Sequence, residues 1–251
     1  MMKYFKINFS LSPKIRGNNN YIKNYKLKIP PTGKLYWEIP EFIGNIYNEK
    51  IDFEPYLLDI ELFANSKIND LIMDGGPISS QRIISGKLKS ILEKYRKTGI
   101  QFFNINILRK SEIFNDYWLL NMYEFNQEFM DLKNSKIIYQ KKNDDFNVTY
   151  STTDIEIQTK DLNEFNHYIE RAKEKLEIIT IEKIALNESI IVEDFFMLKY
   201  VSEGISYYVS EKLKQEIEDA GCTGIEFQPS ELSYNEWVAQ DGEREKIYGK
   251  I

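Results

Sequence analysis

The chain has one cysteine, Cys222, and one histidine, His167, in 251 residues. A single thiol forms no internal disulfide and no CxxC pair, and one imidazole builds neither a His/Cys zinc cage nor a two-histidine metal site. Phosphate-cradling motifs are missing too: neither GxxxxGK[ST] nor GxGxxG occurs, so Asp74-Gly75-Gly76-Pro77 reads as a turn. No apolar run approaches the roughly 18 residues that cross a bilayer. The start, Met1 to Lys6, leads into no signal-type stretch. A cytoplasmic, soluble protein with no membrane contact is the expectation. Positive charge is also in deficit, with 33 Lys+Arg against 39 Asp+Glu and a net charge of -6, which removes the field of a general nucleic-acid binder.

Hydrophobic residues make up 42% of the chain, enough to build the core of one large domain or two small ones. The charge is uneven. Residues 1–37 carry eight basic and no acidic residues, leaving the remainder at -14. A strand is expected over Lys3–Phe9, and Pro30-Pro31-Thr32-Gly33 reads as a loop. Lysines interleaved with Tyr4, Phe5, Phe9, Tyr21 and Tyr25 suit an exposed edge strand, with stacking on single-stranded nucleic acid as the alternative.

The strongest internal signal is a repeat. Shifted by 125 residues, Ile84–Phe102 falls on Val209–Phe227 with nine identities: Ser85/Ser210, Lys87/Lys212, Leu88/Leu213, Lys89/Lys214, Glu93/Glu218, Thr98/Thr223, Gly99/Gly224, Ile100/Ile225 and Phe102/Phe227. In each copy a serine caps a helix, over 85–97 and 210–220, whose apolar face is Leu88, Leu92 and Tyr95 or Leu213, Ile217 and Ala220. Thr-Gly then ends the helix and a strand follows. Asp70–Met73 and Phe195–Leu198 stand before the two copies as matching strands. Between them come strand signals at Tyr117–Tyr123, Lys136–Tyr139, Asn147–Tyr150 and Asp154–Gln158, a hairpin turn at Lys141–Asp145, and a helix over 162–176. The charged end after Ala239 is expected to fray. The fold class is therefore α+β, with two related lobes, each a small, mainly antiparallel sheet with a packed helix. The division runs 1–50 (basic strand and loop), 51–140 (first lobe) and 141–251 (second lobe).

Candidate chemistry is thin. Cys222 and His167 are the only conceivable thiol dyad, far apart in sequence, and a free cysteine usually packs as a small hydrophobe. Asp59/Glu61, Asp144/Asp145 and Asp154/Glu156 are carboxylate pairs of the kind that hold Mg²⁺ or act as acid and base. In a chain with 39 acids they also suit a solvated surface. Aromatics at 14% exceed what such a core must hold, which points to exposed contact anchors.

Three stretches occur together in order: Leu71–Met73 through Ile84, Ser85 and Leu88; Tyr117–Asn121 followed by Phe129–Ser135; and Phe195–Leu198 through Val209, Ser210, Leu213, Gly221, Thr223–Ile225 and Phe227–Pro229. This order resembles the bacterial immunity-protein family of polymorphic toxin systems, first catalogued as a domain of unknown function and later named after a Myxococcus representative. The resemblance spans roughly residues 50 to 230. Asn104 stands where the family tends to place a proline, and the first fifty residues fall outside it.

The resemblance implies a non-enzymatic, cofactor-free protein that binds a cognate protein toxin in the cytoplasm and blocks it; no catalytic residue carries over. An acidic inhibitor complements the basic cleft of a toxin that attacks nucleic acid. Asp144, Asp145, Asp154 and Glu156, with Tyr150 as aromatic anchor, are the candidate contacts. Two other classes stay open: a carboxylate/Mg²⁺ enzyme acting on nucleotides or nucleic acid, and a non-catalytic scaffold or ligand-binding module. The sequence sets no oligomeric state.

Overall fold

The computed structural model describes residues 3–27, 33–73, 76–78, 81–143, 151–202 and 204–250. Along the chain run β1 (Tyr4–Phe9), α1 (Pro13–Arg16), β2 (Ile22–Leu27), β3 (Leu58–Leu62), β4 (Leu71–Ile72), β5 (Arg82–Ser85) and α2 (Gly86–Tyr95). Then come β6 (Ile100–Arg109), β7 (Glu112–Met122), β8 (Lys136–Lys142), β9 (Thr152–Ile157), α3 (Leu162–Lys175) and β10 (Ile178–Lys183). The chain closes with β11 (Phe195–Lys199), β12 (Ile205–Ser210), α4 (Glu211–Asp219), β13 (Ile225–Pro229), α5 (Tyr234–Val238) and α6 (Glu243–Tyr248). Three sheets result, in the orders β2-β3-β6-β7-β5-β4, β11-β12-β1-β13 and β10-β8-β9. The fold is α+β.

Both copies of the repeat form one unit: an antiparallel strand pair, a serine-capped helix, and a strand parallel to the second of the pair with one antiparallel strand between. In the first unit the strand between β5 and β6 is β7, the next element in the chain. In the second the strand between β12 and β13 is β1, from the other end of the chain. Residues 1–50 are thereby shared out, β1 to one sheet and β2 to the other. β1 is an interior strand rather than an exposed edge, with Tyr4 and Lys6 buried. β2, with Lys23 and Lys26 exposed, is the edge strand that the lysine pattern suits.

Ser85 and Ser210 each accept a hydrogen bond at Oγ, from the Leu88 and Leu213 amides, both at 3.2 Å. Each serine in turn donates its hydroxyl to an aspartate at the foot of the preceding strand, Asp70 or Asp194. That geometry makes Asp70 the counterpart of Asp194, one residue away from the strand alignment expected from sequence. The Thr-Gly pair also acts differently from expectation. The helices end at Tyr95 and Asp219, and Gly99 (φ 73°) and Gly224 (φ 83°) instead turn the chain into β6 and β13.

The two helices meet reciprocally. Lys87 Nζ donates to the carbonyls of Ala220 (3.4 Å) and Gly221 (3.0 Å), while Lys212, its repeat counterpart, lies 5.0 Å over the ring of Tyr95, the counterpart of Ala220. Leu88, Ile91, Leu92, Leu213 and Ile217 are buried together with Phe195 and Phe227 in a core that the two units share. A second core lies between β10-β8-β9, α3 and the opposite face of β11-β12-β1, and Phe165, Ile169 and Ala172 of α3 fill it as their spacing predicts.

The charged end after Ala239 is ordered, not frayed. Glu226 and Arg244 are buried, with side chains 1% and 2% exposed, and they form a two-pronged ion pair at 2.7 and 2.8 Å. The Ser10 hydroxyl and the Leu11 amide also donate to Glu226, both at 2.9 Å. A lone charge in this tail thus has a buried counter-charge that composition does not reveal.

Between β2 and β3 a strap, residues 33–57, lies over the outer core of the six-stranded sheet and buries Ile39, Phe42, Ile43, Ile46 and Ile51. Gly44 lets it come down: a Cβ there would sit 1.8 Å from the Pro77 carbonyl oxygen.

Candidate functional site

Of the carboxylates singled out from sequence, Asp154 and Glu156 belong to the three-stranded sheet. Asp154 pairs with Gln140 and Glu156 with Ile138, while Ile178 and Thr180 of β10 lie across from the same two β8 residues. Residues directly opposite share a face. Asp154 and Glu156 therefore stand beside Ile138, Gln140, Ile178 and Thr180, and the row ends at the Lys136–Glu182 ion pair, 2.6 Å long. Ile137, Ile179 and Ile181 point the other way into the core under α3.

Both acids are exposed and free of ion pairs among the described residues. β9 pairs only with β8 among the described residues, so its outer edge is open. A groove of ≈ 460 Å³ runs over this face, lined by Asp154, Glu182, Tyr234 and Asn235, and continues into a second of ≈ 480 Å³ beside Ile169, Lys173 and Tyr200. Asp144, Asp145 and Tyr150 lie outside the described residues, as does most of the expected hairpin. Lys141 and Lys142 belong to β8 instead of the turn. Tyr234 was not singled out from sequence. Its signal is the capping box Ser233/Glu236 just ahead of buried Trp237, which places a short helix there.

The other candidates do not converge. His167 is exposed on α3, whereas Cys222 is half-buried in the turn after α4. Burial, with Asp70 nearby, pushes the Cys222 thiol up to about 11, so it stays protonated at neutral pH. Asp59 Oδ1 accepts from the Asn106 backbone and side-chain amides, both at 3.1 Å. Glu61 bridges Lys23 (2.7 Å) and Lys26 (3.2 Å), whose hydrogen bonds hold its carboxyl below the usual range. Both are on β3, in a different sheet from Asp154 and Glu156. Among the described residues no group of three or more His, Cys, Asp or Glu is placed to hold a metal ion. No helix among them is long and apolar enough to cross a membrane.

Nearly all of the aromatic rings are buried or partly buried, and among the described residues the exposed ones are Trp37 (56%), Tyr47 (68%) and Phe53 (44%), all on the strap. Composition shows the surplus but not its place, because Tyr36, Phe42 and Tyr56 of the same stretch turn inward. An alternation of aromatic and acidic residues over 36–54 was the available signal. A family model described as "Immunity protein family (Imm11)" matches residues 3–231. No curated protein matches the chain.

Proposed function

The chain belongs to the Imm11 immunity protein family, and from that premise we propose that it binds a cognate bacterial toxin in the cytoplasm and neutralises it by contact, with no catalysis of its own. The observation that carries this reading is the family match over most of the chain. The residue chemistry supports it: the one thiol is held protonated, Asp59 and Glu61 serve as structural acceptors, and the open carboxylates stand on a sheet face rather than around a reacting centre.

Charge suggests the toxin class. A toxin that cuts nucleic acid presents a basic cleft, and Asp144, Asp145, Asp154 and Glu156, with Tyr150, form the contact set proposed for an acidic cover over it. Protection at low toxin copy number calls for nanomolar binding, on the order of -12 kcal/mol. Within this reading the two repeat units are related lobes of one binding body.

The experiment pairs the chain with the toxic C-terminal domain of the secreted protein encoded beside it. Asp154→Lys with Glu156→Lys is expected to slow association and reduce protection of cells making the toxin. Lys23→Glu with Lys26→Glu, whose ion pairs among the described residues are to Glu61, is expected to leave protection intact. The opposite pattern, or association indifferent to salt, removes the electrostatic mechanism.

A further inference from the structure

We propose that the strap over residues 35–54 is the anchoring surface for the toxin, with Trp37, Tyr47 and Phe53 inserting into a basic protein surface; this rests on the immunity reading. Three observations converge on it.

The first is exposure. Rings of this size normally go inside, yet 56% of Trp37 and 68% of Tyr47 face outward, with Leu35 beside Trp37 at 52%. Large aromatic side chains dominate the binding energy of protein interfaces, and these three, all on one strap, are the exposed rings among the described residues.

The second is rigidity. The strap is not a slack loop whose rings hang loose for want of a core. Gln81 Nε2 donates to the Ile46 carbonyl at 2.9 Å, Asn48 Nδ2 to the Met122 carbonyl at 2.8 Å, and Asn121 Nδ2 to the Glu49 carbonyl at 2.9 Å. Gln101 makes a two-way clamp on Ile51, at 2.9 and 2.6 Å. Asn45 Nδ2 ties Trp37 and Ile39 to the second half of the strap, at 3.3 and 2.8 Å. The side-chain oxygens of Asn48, Gln81 and Asn121 are buried without a hydrogen-bond partner in the protein. Buried side-chain amides thus hold this segment at several points along its length. Contact residues held in place before binding lose less freedom on binding.

The third is charge, which selects the occupant. Glu38, Glu41, Glu49, Asp52 and Glu54 are exposed on the strap against only Lys34 and Lys50, and none of the five carboxylates is ion-paired among the described residues. Some acids elsewhere are neutralised, as Glu61, Asp70, Glu182, Glu216 and Glu236 are, whereas Asp154 and Glu156 are not; the strap is set apart by carrying five such carboxylates around exposed rings. Unneutralised carboxylates around exposed rings complement a basic partner and repel a second copy of the same strap.

The test measures binding of the full chain to the neighbour-encoded toxin domain by calorimetry or surface plasmon resonance, alongside thermal melts of each variant. Trp37→Ala and Tyr47→Ala are each expected to weaken binding about 30-fold or more, the range of interface hot spots, with unchanged melting temperature. Glu41→Lys with Asp52→Lys is expected to slow association and flatten its salt dependence. If Trp37→Ala lowers the melting temperature, Tyr47→Ala, the most exposed ring, carries the test. Strap variants that bind as tightly as wild type overturn the proposal while leaving the immunity reading intact. A wild-type chain that neither binds nor protects overturns both. A concentration-dependent dimer abolished by Trp37→Ala assigns the strap to self-association and also overturns the proposal.

Discussion

Replacing Arg244 by alanine isolates the energetic role of the tail that follows the family match, which ends at residue 231. Glu226 lies at 0% exposure, so the substitution strands a carboxylate where water does not reach it. Breaking a buried ion pair by removing one partner costs about 3–5 kcal/mol. Here the lower half applies, since Ser10 and Leu11 still donate to Glu226 Oε1. Oε2 loses its 2.7 Å partner, and the Gly249 carbonyl loses the bond from Nη1 at 2.9 Å. About 3–4 kcal/mol translates to a drop of roughly 6–16 °C in melting temperature for a chain of this size.

The double variant Glu226→Leu/Arg244→Leu leaves no unpaired charge and should recover much of the loss, because replacing both partners by apolar groups is often near neutral. Differential scanning calorimetry on the wild type, the single variant and the double variant closes the comparison. A single variant melting within about 2 °C of wild type, or a double variant melting well below the single one, refutes the reasoning.

Gly224→Ala places a Cβ 2.4 Å from the Leu71 carbonyl oxygen at φ 83°, so it should destabilise by more than the ~1–2 kcal/mol of left-handed strain alone, read in urea melts. Glu236 is held down to about 2 by its hydrogen bonds from Lys183 and Ser233. A carboxyl whose folded value lies below its free value stabilises above about 4.5 and loses that contribution as pH falls toward 2. Glu236→Gln should therefore melt lower than wild type at neutral pH, by no more than about 1 kcal/mol for so exposed a pair, and the two should converge in acid. Cys222, with its thiol raised to about 11, should react slowly with Ellman's reagent at pH 8 in the native protein and rapidly in urea. Fast native labelling contradicts the assigned burial.

Local signals carried well from sequence to structure. Ser85 and Ser210 cap their helices, and Phe165, Ile169 and Ala172 bury one face of α3, because capping and helical period depend only on neighbours in the chain. What was illegible depends on partners far away. Nothing near Tyr4 announces that it lies between β12 and β13, and nothing near Arg244 names Glu226. The strap is the same case in reverse: Phe42 and Phe53 look alike in sequence, and only the sheet beneath decides that one ring is buried and the other exposed. Asp154 and Glu156 are exposed, as the one wet face of their alternation with Ile155 and Ile157 suggests, but Ile155 is exposed as well, because β9 is an edge strand that only tertiary packing could have covered.

The threading of β1 between β12 and β13 imposes a timetable on synthesis. The six-stranded sheet has all its strands once Met122 has emerged, but Phe5 cannot meet its partner Pro229 until the ribosome has added more than two hundred further residues. At about 5–20 residues per second that is roughly 10–45 s during which the first strand, rich in Tyr and Phe, is translated but unpaired. The nascent chain therefore holds an unpaired apolar strand beside an already folded unit. Chaperone binding to that strand, and the yield of active protein after slowing translation over residues 130–230, become properties written into the order of the strands.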